Sequence, residues 1–330
     1  MKRRIMKLSL IVSAFVLFCL AHSTRVGATV PGANGRIAFQ ADTGAGNQIY
    51  TVRPNGHDLR QITHVELEAV RPDWSPDGRL IAFEHDSAMC ASVAIMNADG
   101  SSLFDLVPPG PNLCEGDPSF TPDGTRIVFE QFNVDTGEDA IWSMRLDGSH
   151  RRFITIGSGS GVTDPNVSPD GRTLSFVDFN GLAFGQALFT VNIAGSSLFQ
   201  VTSFNLDVAI KQGWAPNGRR LVFSDNADFP NPGDSANIAT VRPDGSDLRY
   251  LTHYQGGEVN AFVGSYSPDG QWIVFRLEDH GSFGLFKMHS DGSDPQAILG
   301  LSSLKPRFIA WGPRPPGRDE NNDDDEDNQK

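Results

Sequence analysis

Two histidines and several carboxylates, residue types that can ligate cations, occur at comparable positions along this sequence. His64 and His253 each follow an Ile-Thr or Leu-Thr pair. Imidazole nitrogen and carboxylate oxygen are both ligands that divalent cations accept. The acidic residues in comparable segments are Glu66, Glu68, Asp117, Asp164, Asp207 and Glu258. These residues would form a metal or ligand cluster if the fold brings their segments together.

The spacing of these residues along the chain does not by itself define a metal site. This favours the alternative, in which they form the ordinary polar lining of a solvated channel. We accordingly expect no cofactor, and a divalent cation in a central channel is the alternative hypothesis.

One glycine-rich segment superficially resembles the nucleophile elbow of a serine hydrolase. Residues 157–161 read Gly-Ser-Gly-Ser-Gly, but Gly159 stands where the nucleophilic serine of a Gly-x-Ser-x-Gly motif belongs. The sequence also contains no phosphate-binding loop and no His-Glu-x-x-His motif. We therefore predict a flexible loop at 157–161 and assign no catalytic residue.

A sequence repeat predicts the strands and turns that would position these residues. Ser-Pro-Asp-Gly, or a close variant, precedes a short apolar segment five times. Its prolines are Pro76, Pro122, Pro169, Pro216 and Pro268. The intervals of 46, 47, 47 and 52 residues indicate stacked or radially arranged units. A second turn, usually Asp-Gly, recurs six times and favours a hairpin.

Residues 117–155 illustrate one unit of this repeat. It contains four predicted strands, A to D, at 118–120, 126–130, 140–146 and 151–155. The strands are rich in aliphatic and aromatic residues, whereas Pro, Gly and Asp occupy the turns. Such a unit is a four-stranded antiparallel meander, the blade of a propeller.

The two ends of the chain complete one further unit. Residues 36–39 match strand B with no strand A before them, and residues 306–312 match strand A with no strand B after them. We therefore predict an all-β fold, a six-bladed β-propeller of four-stranded antiparallel blades over residues 29–315. Its C-terminal strand pairs with the N-terminal blade and closes the ring. An open solenoid is the structural alternative, but the split unit argues against it.

These repeats resemble those of the TolB-type (WD40-like) propeller family. The resemblance rests on Ser-Pro-Asp-Gly before an Ile-x-Phe strand, then Asp-Gly before a strand that ends in Leu-Thr. It covers residues 31–315 and implies the propeller fold. The family's namesake carries an additional α/β domain before its propeller, for which we expect no counterpart here. The resemblance therefore does not imply Tol-system function as a whole.

A propeller of this kind has two ends. The A–B and C–D turns lie at one end, and the B–C and D–A loops lie at the other, which we call the variable face. Loops 180–186 and 226–236 stand out there, the first glycine-rich and the second long, and variable loops on a rigid scaffold commonly carry function. We therefore expect a protein or cell-envelope component to bind the variable face.

The two termini differ in composition from the repeats. Residues 1–28 combine basic residues, an apolar run and a small-residue cleavage site, which predicts a secretory signal peptide and no transmembrane anchor after cleavage. Cleavage would remove five basic and no acidic residues, so the net charge would fall from −13 to −18. This acidity argues against nucleic-acid binding. Residues 316–330 are acidic and lack apolar side chains, which predicts a disordered tail.

Two cysteines, Cys90 and Cys114, remain after the predicted cleavage. Export places them in a compartment where a disulfide persists. They occur in a B–C loop and in the following D–A loop, on adjacent blades of the variable face. We predict that they form a disulfide, and two free thiols are the alternative.

Strong repeats without a catalytic motif favour a non-catalytic binding or scaffold module. We expect an exported monomer, periplasmic or extracellular, that binds a protein or cell-envelope component and no nucleic acid. The alternative is a propeller-only, metal-dependent enzyme similar to the oligogalacturonate lyases and acting on a polysaccharide. A purely structural or surface-display role is a third hypothesis.

Overall fold

The computed structural model describes residues 32–42, 44–86, 90–106, 110, 112–181, 185–225 and 233–317. The predicted signal peptide, 1–28, lies outside these residues. The predicted acidic tail, 316–330, also lies outside them except for residues 316 and 317. The two variable loops are described in part, because residues 182–184 and 226–232 fall outside the described ranges.

The described strands form six four-stranded antiparallel sheets, as the sequence predicts. We number the sheets as blades one to six and the strands β1 to β24 in chain order. Blade one contains β24 (Arg307–Pro313), β1 (Asn34–Asp42), β2 (Asn47–Val52) and β3 (Arg60–Gln61). Blade two contains β4 (Ala69–Trp74), β5 (Leu80–His85), β6 (Ser92–Asn97) and β7 (Phe104–Asp105). Blade three contains β8 (Leu113–Phe120), β9 (Arg126–Asn133), β10 (Asp139–Arg145) and β11 (Arg152–Thr155).

Blades four to six follow the same order from strand A to strand D. Blade four contains β12 (Val162–Val167), β13 (Thr173–Asn180), β14 (Gly185–Asn192) and β15 (Phe199–Gln200). Blade five contains β16 (Val208–Trp214), β17 (Leu221–Asp225), β18 (Ile238–Val241) and β19 (Arg249–Tyr250). Blade six contains β20 (Val259–Tyr266), β21 (Trp272–Asp279), β22 (Ser282–His289) and β23 (Gln296–Ser302). A short 3-10 helix, Phe204–Leu206, precedes β16. Within the described residues, no helix is long and apolar enough to cross a membrane.

The ring is closed by its own ends, which confirms the prediction from the split unit. Strand β24 pairs antiparallel with β1, with Trp311 opposite Ile37 and Ala310 opposite Ala38. The Trp311 indole Nε1 donates a hydrogen bond to the carbonyl of Gly35 at 3.1 Å. Closure therefore gives the N-terminal strand a partner along an edge that would otherwise be open to intermolecular pairing.

The Ser-Pro-Asp-Gly turns are structural, as their residue types indicate. In the first of them, Asp77 Oδ1 accepts hydrogen bonds from the Ser75 hydroxyl at 2.7 Å and from the Arg79 backbone N–H at 3.1 Å. Gly78 has φ +68°, and a Cβ there would lie 2.2 Å from the carbonyl oxygen of Pro313. Only glycine combines that backbone conformation with such a close approach.

The hydrophobic core lies between the blades. The Ile-x-Phe or Leu-x-Phe pattern of each strand B places one phenylalanine on the buried side, and removing such a side chain from a core commonly costs about 3–5 kcal/mol. These six residues, each no more than 1% exposed, are Phe39, Phe83, Phe129, Phe176, Phe223 and Phe275.

Strand A of the type unit is longer than the sequence predicts. We expected residues 118–120, whereas β8 spans Leu113–Phe120. The pairing with β9 is interrupted between Gly116 and Ser119, and Asp117 has φ +48° in the left-handed region. A bulge built from Glu-Gly-Asp-Pro contains no strong β-forming residue, which explains why propensity missed this part of the strand.

Candidate functional site: the central channel and its variable-face cavity

One position of strand A recurs in all six blades, five residues before a proline that ends the strand or lies in the turn after it. We call these six residues the channel ring. In blade order from two to six and then one, they are Arg71, Asp117, Asp164, Lys211, Val263 and Phe308. Four of them have positive φ, between +47° and +55°: Arg71, Asp117, Asp164 and Phe308. The ring is thus charged over four consecutive blades and apolar over the other two.

Asp117 is the centre of the charged half of the ring. It is only 4% exposed. Its Oδ2 accepts hydrogen bonds from the Arg71 guanidinium and the Thr163 hydroxyl, and from the Asp164 backbone N–H at 3.1 Å. The Arg71 guanidinium also lies 5.0 Å from the centre of the Phe308 ring. One carboxylate therefore connects blades two, three and four.

Asp164 extends the same network into blade five. Its Oδ1 accepts a hydrogen bond from Lys211 Nζ at 3.1 Å, and its Oδ2 accepts one from the Gln212 backbone N–H at 2.8 Å. The Gln212 side-chain amide donates to the Asp164 carbonyl at 2.8 Å. Each charged member of the ring thus bonds to a neighbouring blade, and the network stabilises blade packing.

Carboxylates outnumber cations around this network, and burial makes their ionisation unfavourable. Burial raises the pKa of Glu84 to about 7, although Arg71, with Nε 3.6 Å from Oε2, opposes the rise. Burial also raises the pKa of Asp164 to about 6 against the opposing charge of Lys211. The pKa of Glu130 is raised well above its usual range by burial and then by Asp117. The pKa of Glu84 therefore lies near neutral pH, well above that of an exposed carboxyl group.

The structure brings two of the sequence-predicted site residues together, Asp117 and Asp164. The two histidines lie apart from them, in blades one and five, beside the outer strands. His64 Nδ1 is 3.1 Å from Gln61 Nε2, and the His253 ring centroid is 6.4 Å from that of Tyr250. Across the described ranges, no group of three His, Cys, Asp or Glu residues is arranged to hold a metal ion.

The other predicted acidic residues have separate local partners. Glu68 Oε1 accepts a hydrogen bond from the Asn47 side chain at 2.9 Å. Asp207 follows the 3-10 helix with φ +43°, and its Oδ1 accepts one from the Gln186 backbone N–H at 3.0 Å. Glu258 forms an exposed ion pair with His280 at 2.8 Å. Glu68 and Asp207 thus fasten the connection between two blades to the preceding blade.

Cys90 and Cys114 form a disulfide, the pairing that the sequence predicts. Cys90 precedes β6 of blade two, and Cys114 lies in β8 of blade three. The bond therefore ties two adjacent blades together on the variable face. Disulfides of this kind persist outside the reducing cytoplasm, which points to an extracytoplasmic protein.

The double variant Cys90→Ser, Cys114→Ser is expected to lower the free energy of unfolding by roughly 3 kcal/mol. The bond closes a segment with a sequence separation of 24 residues, and the chain-entropy model assigns that magnitude to a loop of this length. Urea denaturation with and without reductant measures the effect. Reductant should destabilise the wild type and leave the double variant unchanged; an effect of reductant on the double variant would contradict this assignment.

A cavity of about 240 Å³ opens beside the apolar half of the channel ring. Arg307 at the start of β24 and Gln186 at the start of β14 place it at the variable face, because those strand ends meet the D–A and B–C loops. Its twelve lining residues are Gln186, Ala209, Ile210, Lys211, Ser224, Phe262, Val263, Arg276, Pro306, Arg307, Phe308 and Ile309. The lining combines three cations with two aromatic rings and has no carboxylate among its described residues.

Arg276 is the least exposed cation of this cavity. It is 8% exposed, and its guanidinium carbon lies 4.2 Å from the centre of the Phe262 ring. Its nearest acidic atom, Glu278 Oε2, is 3.6 Å from Nη2, beyond hydrogen-bond length. Burial lowers the pKa of Arg276 to about 10, Glu278 opposes the change and Arg307 adds to it. The guanidinium thus remains charged at neutral pH.

The opposite end of the channel has a wider depression of about 1560 Å³. It is lined by the Pro-Asp-Gly or Pro-Asn-Gly turns of blades three to six, together with arginines such as Arg219 and Arg220. The Arg220 guanidinium donates to Asp247 Oδ2 at 2.8 Å and to the Thr240 carbonyl at 3.1 Å. Sequence reasoning assigned this end to turn chemistry alone and did not foresee the depression.

Comparison with known proteins gives one short sequence match and broad structural matches. A segment of 37 residues is 51% identical to the Tol-Pal system protein TolB of Nitratidesulfovibrio vulgaris, and it covers 11% of this chain and 8% of that protein. No family model matches the chain. TolB from Acinetobacter baumannii superposes with a TM-score of 0.69 at 20% identity, covering 85% of this chain and 67% of the other.

An enzyme structure is about equally similar in fold. Kuenenia stuttgartiensis hydrazine synthase superposes with a TM-score of 0.68 at 15% identity, covering 88% of this chain and 48% of that one. At sequence identities this low, the two superpositions show a shared fold alone. The arrangement of residues in this chain must therefore carry any argument about function.

Proposed function

We propose that this chain, which has the fold of a TolB-like six-bladed β-propeller, is an exported, non-catalytic binding module. It acts as a monomer and holds a protein or cell-envelope component on its variable face. The Cys90–Cys114 disulfide supports export, because such bonds persist in oxidising compartments. Periplasmic or extracellular residence is part of the proposal.

The observation that carries the proposal is a contrast between the two charged regions of the channel. Asp117 and Asp164 are paired with Arg71 and Lys211 inside the protein. On the variable face, burial and the neighbouring charge of Arg307 lower the pKa values of Lys305 and Arg276, and the single nearby carboxylate, Glu278, only partly opposes both shifts. Charges that the protein pairs internally stabilise its fold, whereas a concentration of like charges at a rigid opening favours a ligand of opposite charge.

The surface around the cavity has further features of a binding site. Lys305 Nζ lies 4.4 Å from the centre of the Phe283 ring, and Arg307 is exposed at the cavity rim. Cations beside aromatic rings recur in protein interfaces, where aromatic residues and arginine are enriched. The six-bladed scaffold fixes their positions, so that little conformational entropy is lost on binding.

Charge reversal at the rim tests this proposal. The mature protein, immobilised and exposed to its own envelope fraction, is compared with Arg307→Glu and with Arg219→Glu. Both arginines are exposed, and they lie at opposite ends of the channel. We expect Arg307→Glu to reduce the captured partner at least tenfold, measured by quantitative mass spectrometry, and Arg219→Glu to leave capture unchanged.

Two results would overturn the proposal. One is loss of capture in Arg219→Glu with full capture in Arg307→Glu, which would move the binding surface to the opposite end. The other is a change in the covalent mass of the captured partner on incubation with the wild type, which would indicate catalysis. Equal melting temperatures of the two variants control for unfolding.

A further inference from the structure

The variable-face cavity contains buried polar atoms that the protein leaves without hydrogen bonds. Arg276 Nε has no hydrogen-bond partner among the described residues, and Gln186 Oε1 has none either. A buried polar atom without a partner costs about 1–3 kcal/mol, and a charged group costs more. These two atoms belong to residues that line the same cavity, one offering a donor and the other an acceptor.

The positive charge of the cavity favours a negatively charged ligand. Lys211 is paired with Asp164 at 3.1 Å, whereas Glu278, the acid nearest to Arg276, is not among the residues that line the cavity. A carboxylate matches the planar guanidinium, which can donate two parallel hydrogen bonds to it. An anionic group placed beside Arg276 would also reduce its repulsion with Arg307.

The other lining residues are apolar and favour a ligand whose uncharged part is also apolar. Phe262 and Phe308 supply two aromatic rings, and Ile210, Val263 and Ile309 supply aliphatic surface. Flat apolar groups pack favourably against such rings. Liquid water occupies about 30 Å³ per molecule, so a cavity of 240 Å³ has the volume of about eight water molecules and admits one compact aromatic group.

We infer that this cavity binds a small organic carboxylate with an aromatic body and a hydroxyl or amide donor. Arg276 holds the carboxylate, the aromatic rings hold the body, and Gln186 Oε1 accepts the donor. The inference rests on the proposed use of the variable face for binding and specifies the chemistry recognised there. The carboxylate belongs either to a free small acid or to the C-terminal residue of a partner chain.

The test is calorimetric titration of the mature protein with para-hydroxyphenylacetate in a buffer without competing anions. The matched ligand control is para-hydroxyphenylacetamide, which has the same size and no charge. We expect the acid to bind with a dissociation constant at or below about 1 mM, and the amide to bind at least tenfold more weakly. Equal affinities, or no binding of the acid, would overturn the inference.

Arg276→Met is the matched protein variant, because methionine fills similar apolar space without the charge. It is expected to weaken binding of the acid at least tenfold. The melting temperature of the variant is measured alongside, because the substitution also removes the 3.6 Å ion pair between Arg276 and Glu278. Arg220→Met, whose guanidinium is already paired with Asp247 at the opposite end, should leave binding unchanged. Unaltered binding by Arg276→Met would exclude this site.

A competition experiment identifies the source of the carboxylate. A five-residue peptide with a C-terminal tyrosine displaces the acid if the natural ligand is a chain terminus, and it does not if the ligand is a free small acid. Either outcome keeps the carboxylate site. Binding of the acid without capture of an envelope partner would support the carboxylate site and contradict the proposed function. Capture of a partner without binding of the acid would support the proposed function and contradict the carboxylate site.

Discussion

Replacing Asp117 by asparagine is expected to lower the free energy of unfolding by about 3 kcal/mol or more. The change leaves the Arg71 guanidinium in the channel without its principal carboxylate, and breaking a buried ion pair by removing one partner commonly costs about 3–5 kcal/mol. Asparagine tolerates the left-handed backbone conformation of Asp117, which has φ +48°. Urea denaturation at neutral pH measures the loss.

Asp294→Asn is the matched control for this prediction. Asp294 also has a left-handed backbone, with φ +52°, but its side chain is 60% exposed. Substitutions at exposed positions of this kind usually change stability by less than about 0.5 kcal/mol. Equal losses in the two variants would show that the αL position, rather than the buried ion pair, determines the cost, and would contradict the role assigned to the channel ring.

The buried carboxylates predict that the protein gains stability on mild acidification. A carboxyl group whose folded-state pKa is raised binds its proton more readily in the folded chain, so its contribution is fully present below the unfolded pKa and is lost as pH rises through the folded pKa. For Glu84 this window runs from its ordinary value of 4.5 to about 7. For Asp164 it runs from 3.8 to about 6.

We therefore expect the free energy of unfolding to be about 4 kcal/mol larger at pH 5 than at pH 8, because above pH 5 the Glu84 window spans about two pKa units and the Asp164 window about one, and one pKa unit corresponds to about 1.4 kcal/mol. Glu84→Gln should remove much of this slope and raise stability at pH 8, because the amide has no charge to desolvate. Denaturation midpoints at a series of pH values test both statements. A wild type that loses stability between pH 8 and pH 5 would contradict them.

The fold was predictable because every blade repeats the same local chemistry. Each Pro-Asp-Gly turn requires residue types that few other structures favour, and the unpaired strand around Trp311 has one natural partner, the strand that begins the repeats. Strand boundaries were less predictable. The first strand of each blade runs through a bulge such as Glu115 to Pro118, where no residue has a strong preference for β-structure.

The candidate site was predictable only in part, because its residues come from different blades and from unlike residue types. Asp117 and Asp164 stood out as acids, and Cys90 and Cys114 stood out as a pair. Arg71 and Lys211 share the position five residues before the repeated proline, so alignment of the repeats could have identified the members of the channel ring. Nothing local marks Arg276, which becomes notable only when three strands bury it beside Phe262.

Site-specific photo-crosslinking tests the location of the binding surface most directly. A photoreactive amino acid is placed at Ser303, exposed in the loop between β23 and β24, or at Arg219 at the opposite end. Each mature protein is irradiated in its own envelope fraction. We predict a discrete higher-mass adduct from position 303 and none from position 219. An adduct from position 219 alone, or from neither position, would contradict binding at the variable face.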